Sequence, residues 1–207
     1  TRSRSNYAAR MSARTETLLS TPTVTVRDTI QASGAAAAEQ APASAAALIF
    51  PYRGVFVRHV GGDIIVAEPN QVLFFNAGEA HRIAYPLDEG AAYLELEIEA
   101  ALLSEIAPAN FVSATSPLTF ATARLRIDPR AQALVAMLRY SLREAIAESL
   151  EAESLALTLA QRALGPRTTH EAGASTSMQK LVDRVKLVLT TDLARRWTLA
   201  EIAAEVG

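Results

Sequence analysis

The sequence predicts an α+β protein in which an antiparallel β-barrel precedes a set of helices. Between residues 21 and 120, short runs of β-branched and aromatic residues are separated by Gly, Pro and Asn, a pattern typical of sheet proteins. Beyond residue 128, apolar residues recur every three or four positions, which predicts amphipathic helices. A polar stretch at 166–177 interrupts the helical pattern and predicts a linker between two domains.

The barrel is predicted to consist of short strands joined by tight turns. Pro51–Gly54 and Gly61–Asp63 carry turn residues between apolar runs, and such repeated signals indicate a sandwich or a barrel. In the last run, Glu95, Glu97 and Glu99 alternate with apolar residues and therefore share one face. We expect that face to be solvated rather than to hold a catalytic acid–base pair. The predicted strands lie at 24–30, 48–50, 55–57, 64–66, 72–75, 82–85 and 93–98.

A helical region is predicted at 121–165. Asp128 suits the N-cap position and Pro129 the first helical position, while Gly165 ends the second helix. Each of the two helices carries an apolar stripe. Such stripes usually pack on a core, but in a two-helix unit attached to a barrel one face can also serve a partner subunit. We therefore predict a homodimer that forms through the helices in 129–164.

The last ten residues indicate the start of a helix-turn-helix. Thr198 and Glu201 fit a capping box, Trp197 fits a hydrophobic staple, and the apolar residues that follow have helical spacing. Gly207 falls where a turn between helices needs a positive φ. With the helix before them, residues 178–207 are predicted to form the first two helices of an incomplete helix-turn-helix domain, which we expect not to bind DNA specifically. The alternative is a plain pair of amphipathic helices in an all-α cap.

Composition excludes several classes of protein. The formal net charge is −2, which gives no general nucleic-acid signature, and the absence of cysteine excludes disulfides, thiolate metal sites and cysteine nucleophiles. No apolar run is long enough to cross a bilayer. Residues 1–20 carry four arginines against one acid, which predicts a basic, solvated N-terminal tail. An arm that contacts DNA is the alternative for this segment.

Four stretches, Phe50–His59, Pro69–His81, Leu181–Lys186 and Trp197–Gly207, carry a resemblance to a known family. They resemble the AraC/XylS family of bacterial transcriptional regulators, specifically members with an N-terminal cupin-type sensor domain. Phe50–His59 and Pro69–His81 resemble the sensor barrel of that family. Leu181–Lys186, followed by Trp197–Gly207, resembles the opening of its DNA-binding domain. The resemblance covers most of the chain after the N-terminal segment.

The resemblance implies a cupin-like antiparallel β-barrel at 21–120 and a partial AraC-type DNA-binding domain at 178–207. Family members use two helix-turn-helix units, so the sequence is expected to be truncated within the first of them. The implied protein is cytoplasmic, binds promoter DNA in its full-length form, senses a small-molecule effector, needs no cofactor and is not an enzyme. Effector binding would shift the population between two arrangements of barrel and helices.

Residues of the barrel are the candidates for the effector site, because small barrels hold a ligand among their inward-facing side chains. An arginine among them would favour a carboxylate or another anion through paired hydrogen bonds, whereas the alternative places each arginine on the surface. The candidate effector-binding residues are Tyr52, Arg53, Phe56, Arg58, His59, Phe74, His81 and Tyr93. The candidate DNA-binding residues, each of which also fits a solvated surface, are Arg184, Lys186, Arg195 and Arg196.

A metal site is only weakly indicated. In metal-dependent cupins the histidine that matches His81 is a ligand, together with a His-x-His pair and a glutamate. Here His59 stands alone and Glu68 is the nearest downstream acid, a thin set for an ion that normally takes three or four protein ligands. We therefore expect no metal. Two alternatives to the regulator stay open, a metal-dependent cupin enzyme such as a dioxygenase or isomerase, and a stand-alone sensor or dimerisation domain.

Overall fold

The computed structural model describes residues 14–32, 38–40, 42–108, 111–113, 118–165 and 176–206. Twelve strands and five helices lie in these ranges. The strands are β1 (Arg14–Ser20), β2 (Val24–Gln31), β3 (Ala38–Gln40), β4 (Ala47–Gly54), β5 (Phe56–Val60), β6 (Asp63–Ala67), β7 (Gln71–Phe75), β8 (His81–Ala84), β9 (Ala91–Ile98), β10 (Val112–Ser113), β11 (Thr119–Phe120) and β12 (Arg124–Arg126). The helices are α1 (Ala100–Ile106), α2 (Pro129–Arg143), α3 (Ser149–Leu164), α4 (Thr176–Thr191) and α5 (Leu199–Val206).

The strands form two main sheets. The large sheet has the order β1-β2-β9-β4-β7-β12, the small sheet has the order β3-β8-β5-β6, and β10 pairs with β11. All of these pairings are antiparallel. Apolar side chains from both main sheets meet in one cluster, so the sheets face each other. The predicted α+β fold with an antiparallel barrel is therefore confirmed.

The middle of the large sheet is buried on both faces. Along β4, Ala47 and Ile49 face the small sheet, where they cluster with Phe56. Leu48 and Phe50 face the opposite way and belong to a second cluster that includes helices α1, α2 and α3. Because successive side chains of a strand alternate between its faces, a strand covered on both sides is apolar at every position. The fold thus has three layers, with the large sheet in the middle.

Helices α2 and α3 form most of the layer that covers the outer face of the large sheet. α2 begins as predicted, since the side chain of Asp128 accepts a hydrogen bond from the backbone N–H of Ala131 and Pro129 occupies the first turn. The buried residues of both helices belong to the same apolar cluster as the outer face of the sheet. In the part of the chain that the structure describes, no helix is both long enough and apolar enough to cross a membrane.

The short helix α1 corrects one expectation about the row of glutamates. Glu99 does not lie on a solvated strand face. It is the N-cap of α1, and its carboxylate accepts hydrogen bonds from the backbone N–H groups of Ala101 and Leu102 at 3.0 and 2.9 Å. These hydrogen bonds lower the pKa of Glu99. A carboxylate is favourable there because the first turn of a helix presents unpaired N–H groups.

The structure also corrects two predicted boundaries. The basic tail predicted at 1–20 contains β1 from Arg14 onwards, which pairs with β2 and buries Leu19. Residues 1–13 lie outside the described residues. The helical region predicted at 121–165 begins with β12, which pairs with β7, so the sheet extends to Arg126. Both corrections concern edge strands, whose partly exposed positions give a weaker apolar pattern than central strands. Most of the linker predicted at 166–177 also falls outside the described residues.

The start of α5 confirms the predicted capping box. Glu201 accepts a hydrogen bond from the backbone N–H of Thr198 at 2.8 Å, and the Thr198 hydroxyl accepts one from the N–H of Glu201 at 3.3 Å. The hydrogen bonds from Thr198 and the nearby guanidinium of Arg195 lower the pKa of Glu201 to about 2. Trp197 donates its indole N–H to the carbonyl oxygen of Asp192 and lies under the guanidinium of Arg195.

Helix α4 lies against strand β6 through ion pairs. The three residues of α4 that make them are spaced three apart, so they share one face of the helix. Leu181 and Val182, on other faces, are about two-fifths exposed. The three pairs are Lys180–Asp63, Asp183–Arg124 and Lys186–Glu68, each with a nitrogen–oxygen distance of 2.6 Å.

Candidate functional site

A cavity of about 170 Å³ lies between the two sheets. Its wall is mainly aliphatic and aromatic, and its polar groups are an imidazole, a phenol and a carboxylate. A few polar groups in an apolar cavity are typical of a small-molecule site, where they orient the ligand. The lining residues are Ala43, Ala47, Ile49, Phe56, Phe75, His81, Ile83, Tyr93 and Glu95.

The alternation of side chains along β9 explains which residues reach the cavity. Tyr93 and Glu95 line the cavity. Leu94 and Leu96, which alternate with them along the strand, pack against the helical layer. Glu95 and Glu97 on β9 therefore face the space between the sheets, with 23% and 19% of their side chains still exposed. The expectation of a solvated face is wrong for Glu95, because the opposite face of the strand is taken up by the helices.

Glu95 is the carboxylate of the cavity wall, and Arg27 of the neighbouring strand lies beside it. Nη1 of Arg27 donates to Glu95 at 2.8 Å and also lies 2.7 Å from a carboxylate oxygen of Glu97. Burial raises the pKa of Glu95 even though this guanidinium is close. One arginine thus serves two carboxylates, and the three groups carry a net negative charge when all of them are ionised.

Phe56 and Tyr93 form an aromatic part of the wall. Their ring centroids are 5.4 Å apart, and the ring centroid of Tyr85 lies 6.3 Å from that of Phe56. Burial raises the pKa of both tyrosines, so both phenols stay protonated and uncharged at neutral pH.

His81 contributes a hydrogen-bond acceptor to the site. Its ring meets that of Phe75 edge-on, with centroids 4.8 Å apart. Its Nδ1 lies 3.1 Å from the carbonyl oxygen of Glu79. Because a carbonyl oxygen only accepts, this geometry assigns the hydrogen to Nδ1 and leaves Nε2 of the neutral ring as an acceptor.

Arg58 is buried next to the cavity but is already paired. Its Nη1 donates to the carbonyl oxygen of Phe74 at 2.7 Å, and its Nη2 donates to Glu79. Its guanidinium carbon lies 3.8 Å from the centroid of the Phe75 ring. Burial lowers the pKa of Arg58, and the carboxylate of Glu79 opposes that shift. Arg58 therefore links the two sheets and is not one of the lining residues.

The structure brings three of the eight predicted effector residues, Phe56, His81 and Tyr93, to the cavity. The other five are placed elsewhere: Arg58 behind the wall, Arg53 exposed at the end of β4, His59 on the outer face of the small sheet, and Tyr52 and Phe74 against the helical layer. Among the described residues no arginine lines this cavity, so the expected recognition of an anion by arginine has no described group there to perform it. The effector-binding role of the three lining residues stays a prediction.

Tyr52 belongs to a buried polar cluster between the large sheet and α2. Its hydroxyl donates to Oδ1 of Asp28 at 2.6 Å, and Arg139 and Arg143 of α2 donate to Oδ2 at 3.1 and 2.6 Å. Burial, with a further contribution from Asp28, raises the pKa of Tyr52 to about 12. Asp28 follows Arg27 on β2, so neighbouring residues of one strand connect the charged group beside the cavity to α2.

The three weak metal candidates lie apart. His59 pairs with Arg82 in the register of β5 and β8, so it lies on the face of the small sheet opposite to His81. Glu68 accepts a hydrogen bond from Lys186 at 2.6 Å. Within the described ranges, no group of three or more His, Cys, Asp or Glu side chains is arranged to hold a metal ion.

The four candidate DNA-binding residues are in different environments. Lys186 faces the barrel in its ion pair, and Arg195 pairs with Glu201 at 2.8 Å. Arg184 and Arg196 are exposed. Their role in DNA binding stays a prediction.

Sequence reasoning missed six of the lining residues. A signal for one of them was present, because the two-residue period that puts Tyr93 in the cavity puts Glu95 there too. The others are aliphatic or aromatic and cannot be distinguished from core residues by type. The six are Ala43, Ala47, Ile49, Phe75, Ile83 and Glu95.

The two facing antiparallel sheets with a small cavity between them define a cupin-like barrel, here with a helical layer on one side. Residues 39–160 match the family model of the AraC-like ligand binding domain, and this segment is more than half of the chain. The chain therefore belongs to the family of AraC-like ligand binding domains, and the predicted cupin-like fold is confirmed.

Several solved structures are similar to this chain. One is a cupin superfamily protein from Desulfitobacterium hafniense, with 20% identity, a TM-score of 0.36, and coverage of 42% of this chain and 78% of that one. A cupin domain of an XRE family transcriptional regulator from Enterobacter cloacae has 17% identity and a TM-score of 0.36, covering 42% and 96%. A cupin domain from Bordetella pertussis has 16% identity and a TM-score of 0.36, covering 42% and 94%. No curated protein matches the chain.

Proposed function

We propose that this chain is the sensor part of an AraC-type transcriptional regulator, in which a small molecule binds in the barrel cavity and changes how the protein engages promoter DNA. The observation that carries the proposal is that the family-matched segment, residues 39–160, contains every residue of the cavity wall. The role is binding and not catalysis, and residues 178–207 contribute to the DNA-binding part. The setting of such a regulator is the cytoplasm.

Two connections support a route from the cavity to the helices. On one side, Arg27 contacts Glu95 of the cavity wall, while the adjacent Asp28 binds Arg139 and Arg143 of α2. On the other side, α4 is held against β6 by ion pairs. A ligand that binds one arrangement of these contacts more tightly than another shifts the population towards it.

The homodimer is proposed to form through α2 and α3. Met137, Tyr140, Ile146 and Leu150, on these helices and the turn between them, are 45 to 78% exposed. An open groove between the two helices, lined in part by Leu134 and Met137, adjoins this surface. Large exposed apolar side chains that lie together mark an interaction surface, because a second subunit would remove them from water.

Replacing Met137 and Tyr140 together by glutamate is expected to convert the dimer to a monomer. Each substitution removes apolar contact area and introduces a charge that the dimer would bury, so the dissociation constant should rise by at least about 100-fold. Light scattering after size-exclusion chromatography measures this. Leu199→Glu is the matched control, since Leu199 is 88% exposed but lies on α5, and it should leave the dimer intact. A double variant that stays dimeric at the same concentration contradicts the proposed interface.

The regulator role is tested on the intact gene product. Chromatin immunoprecipitation from cells that express it is expected to enrich discrete promoter sites, because specific regulators bind their sites far more tightly than other DNA. Absence of enriched sites, or DNA binding that is uniform and lost at moderate salt, overturns the DNA-binding part and leaves a stand-alone sensor. A stoichiometric metal in the purified protein would instead favour the metal-dependent cupin enzyme.

A further inference from the structure

We infer that the ligand of the barrel cavity is a small organic cation, a primary or secondary ammonium with a compact apolar body. This inference rests on the proposed sensor function and names the ligand class of the same site. The sequence predicted an anion as the ligand if arginines lined the barrel. The structure favours a cation instead, because the charged group on the cavity wall is a carboxylate, Glu95.

The charge balance at Glu95 favours a positively charged ligand. Arg27 is the guanidinium beside it, and that same group also pairs with Glu97. Glu95 is a partly buried carboxylate, with 23% of its side chain exposed, and its counter-charge is shared. Such a charge is only partly compensated, and removing it from water is costly. Partial removal from water also raises the pKa of Glu95, and the nearby Arg27 opposes that shift. An ammonium in the cavity would supply the missing positive charge through a charge-assisted hydrogen bond.

The hydrogen-bond acceptors and aromatic rings of the cavity wall also favour a cation. Besides Glu95, the Nε2 of His81 is an acceptor, and both acceptors match the N–H groups of an ammonium. Phe56, Phe75 and Tyr93 supply three aromatic rings to the same wall. Aromatic faces attract cations, and the Phe75 ring already carries one, the guanidinium of Arg58 at 3.8 Å, whose own charge Glu79 balances.

The volume of the cavity favours a compact ligand. A cavity of about 170 Å³ compares with the engineered cavity of about 150 Å³ that accommodates benzene, so a ligand of about six to eight non-hydrogen atoms fits. The remaining wall, which includes Ala47, Ile49 and Ile83, is aliphatic and suits a branched or cyclic hydrocarbon body.

The test is a charge series of one shape, namely 3-methylbutylammonium, 3-methyl-1-butanol and 3-methylbutanoate, titrated into the full chain by calorimetry and thermal shift at neutral pH. The ammonium is expected to bind at least about tenfold more tightly than the alcohol, because a hydrogen bond to a charged group exceeds a neutral one by about that factor. The carboxylate should bind most weakly. Tighter binding of the alcohol or the carboxylate overturns the inference while leaving a ligand-binding cavity in place.

A matched pair of variants tests whether Glu95 causes the preference for the ammonium. Glu95→Gln should remove the preference for the ammonium over the alcohol, whereas Glu97→Gln, which leaves Arg27 to pair with Glu95 alone, should reduce that preference without abolishing it. Equal losses in the two variants overturn the role of Glu95. If Glu95→Gln does not fold, the charge series on the unmodified chain still decides. Failure of all three compounds to bind also overturns the inference, and the promoter-occupancy experiment decides the sensor–regulator function separately.

Discussion

Asp28→Asn is expected to lower the free energy of unfolding by about 3 kcal/mol, because it removes the one carboxylate in a buried cluster that joins the barrel to α2. The side chain of Asp28 is fully buried, and its two oxygens accept hydrogen bonds from Tyr52, Arg139 and Arg143. The amide keeps the size of the side chain but removes the carboxylate that pairs with Arg139, and it leaves Arg143 with the more distant and partly exposed Glu16. Urea denaturation followed by circular dichroism measures the loss.

Glu16→Gln is the control for this prediction. Glu16 also contacts Arg143, at 3.8 Å, but its side chain is 39% exposed. An exposed pair contributes little because water already solvates both charges, so the loss should stay below about 1 kcal/mol. Tyr52→Phe should fall between the two, since it removes one hydrogen bond to Asp28 and no charge. If Asp28→Asn lowers the free energy of unfolding no more than Glu16→Gln does, the ion pairs of Asp28 do not hold the barrel against α2.

The features that could be predicted from the sequence are local ones. The N-cap at Asp128 and the capping box of Thr198 and Glu201 depend on residues within three positions of each other, and the structure contains both. The antiparallel barrel was predictable because turn residues recur between short apolar runs. By contrast, Arg139 donates a hydrogen bond to Asp28, which lies 111 positions away in the chain, and no local sequence pattern predicts that contact.

The cavity was only partly predictable because sequence period does not tell which face of a strand points inward. Tyr52 and Phe74 are as aromatic as Phe56, yet they face the helical layer. In an ordinary two-layer barrel the apolar face is the inner one and the polar face is solvated. Here helices cover the outer face of β9, so its apolar residues point outward and Glu95 lines the cavity. The sequence predicted that this polar face of the strand is solvated, and the helical layer is the reason why Glu95 lines the cavity instead.

A second large effect is expected where three strands converge near Gly54 and Gly90. Both glycines have a positive φ, of +67° and +68°. A Cβ on Gly90 would lie 2.0 Å from the carbonyl oxygen of Gln31 on β2, and a Cβ on Gly54 would lie 2.1 Å from the carbonyl oxygen of Gly90. Ala91, the next residue, pairs with both Gln31 and Gly54. The close approach of these backbones therefore joins β2, β9 and β4.

Gly90→Ala is accordingly expected to lower the free energy of unfolding by about 3 kcal/mol or more. The left-handed conformation costs a residue with a Cβ about 1–2 kcal/mol, and the clash with a carbonyl oxygen of the backbone adds a further cost of about 1–3 kcal/mol because no side chain can rotate away. Gly78→Ala separates the two contributions, since Gly78 has a φ of +74° but a Cβ added there would meet no atom within 4 Å. It should lose only the conformational part, about 1–2 kcal/mol, in the same urea titration. If Gly90→Ala and Gly78→Ala lower the free energy of unfolding equally, the three strands can separate near Gly90 without cost. The close approach of their backbones would then not stabilise the barrel.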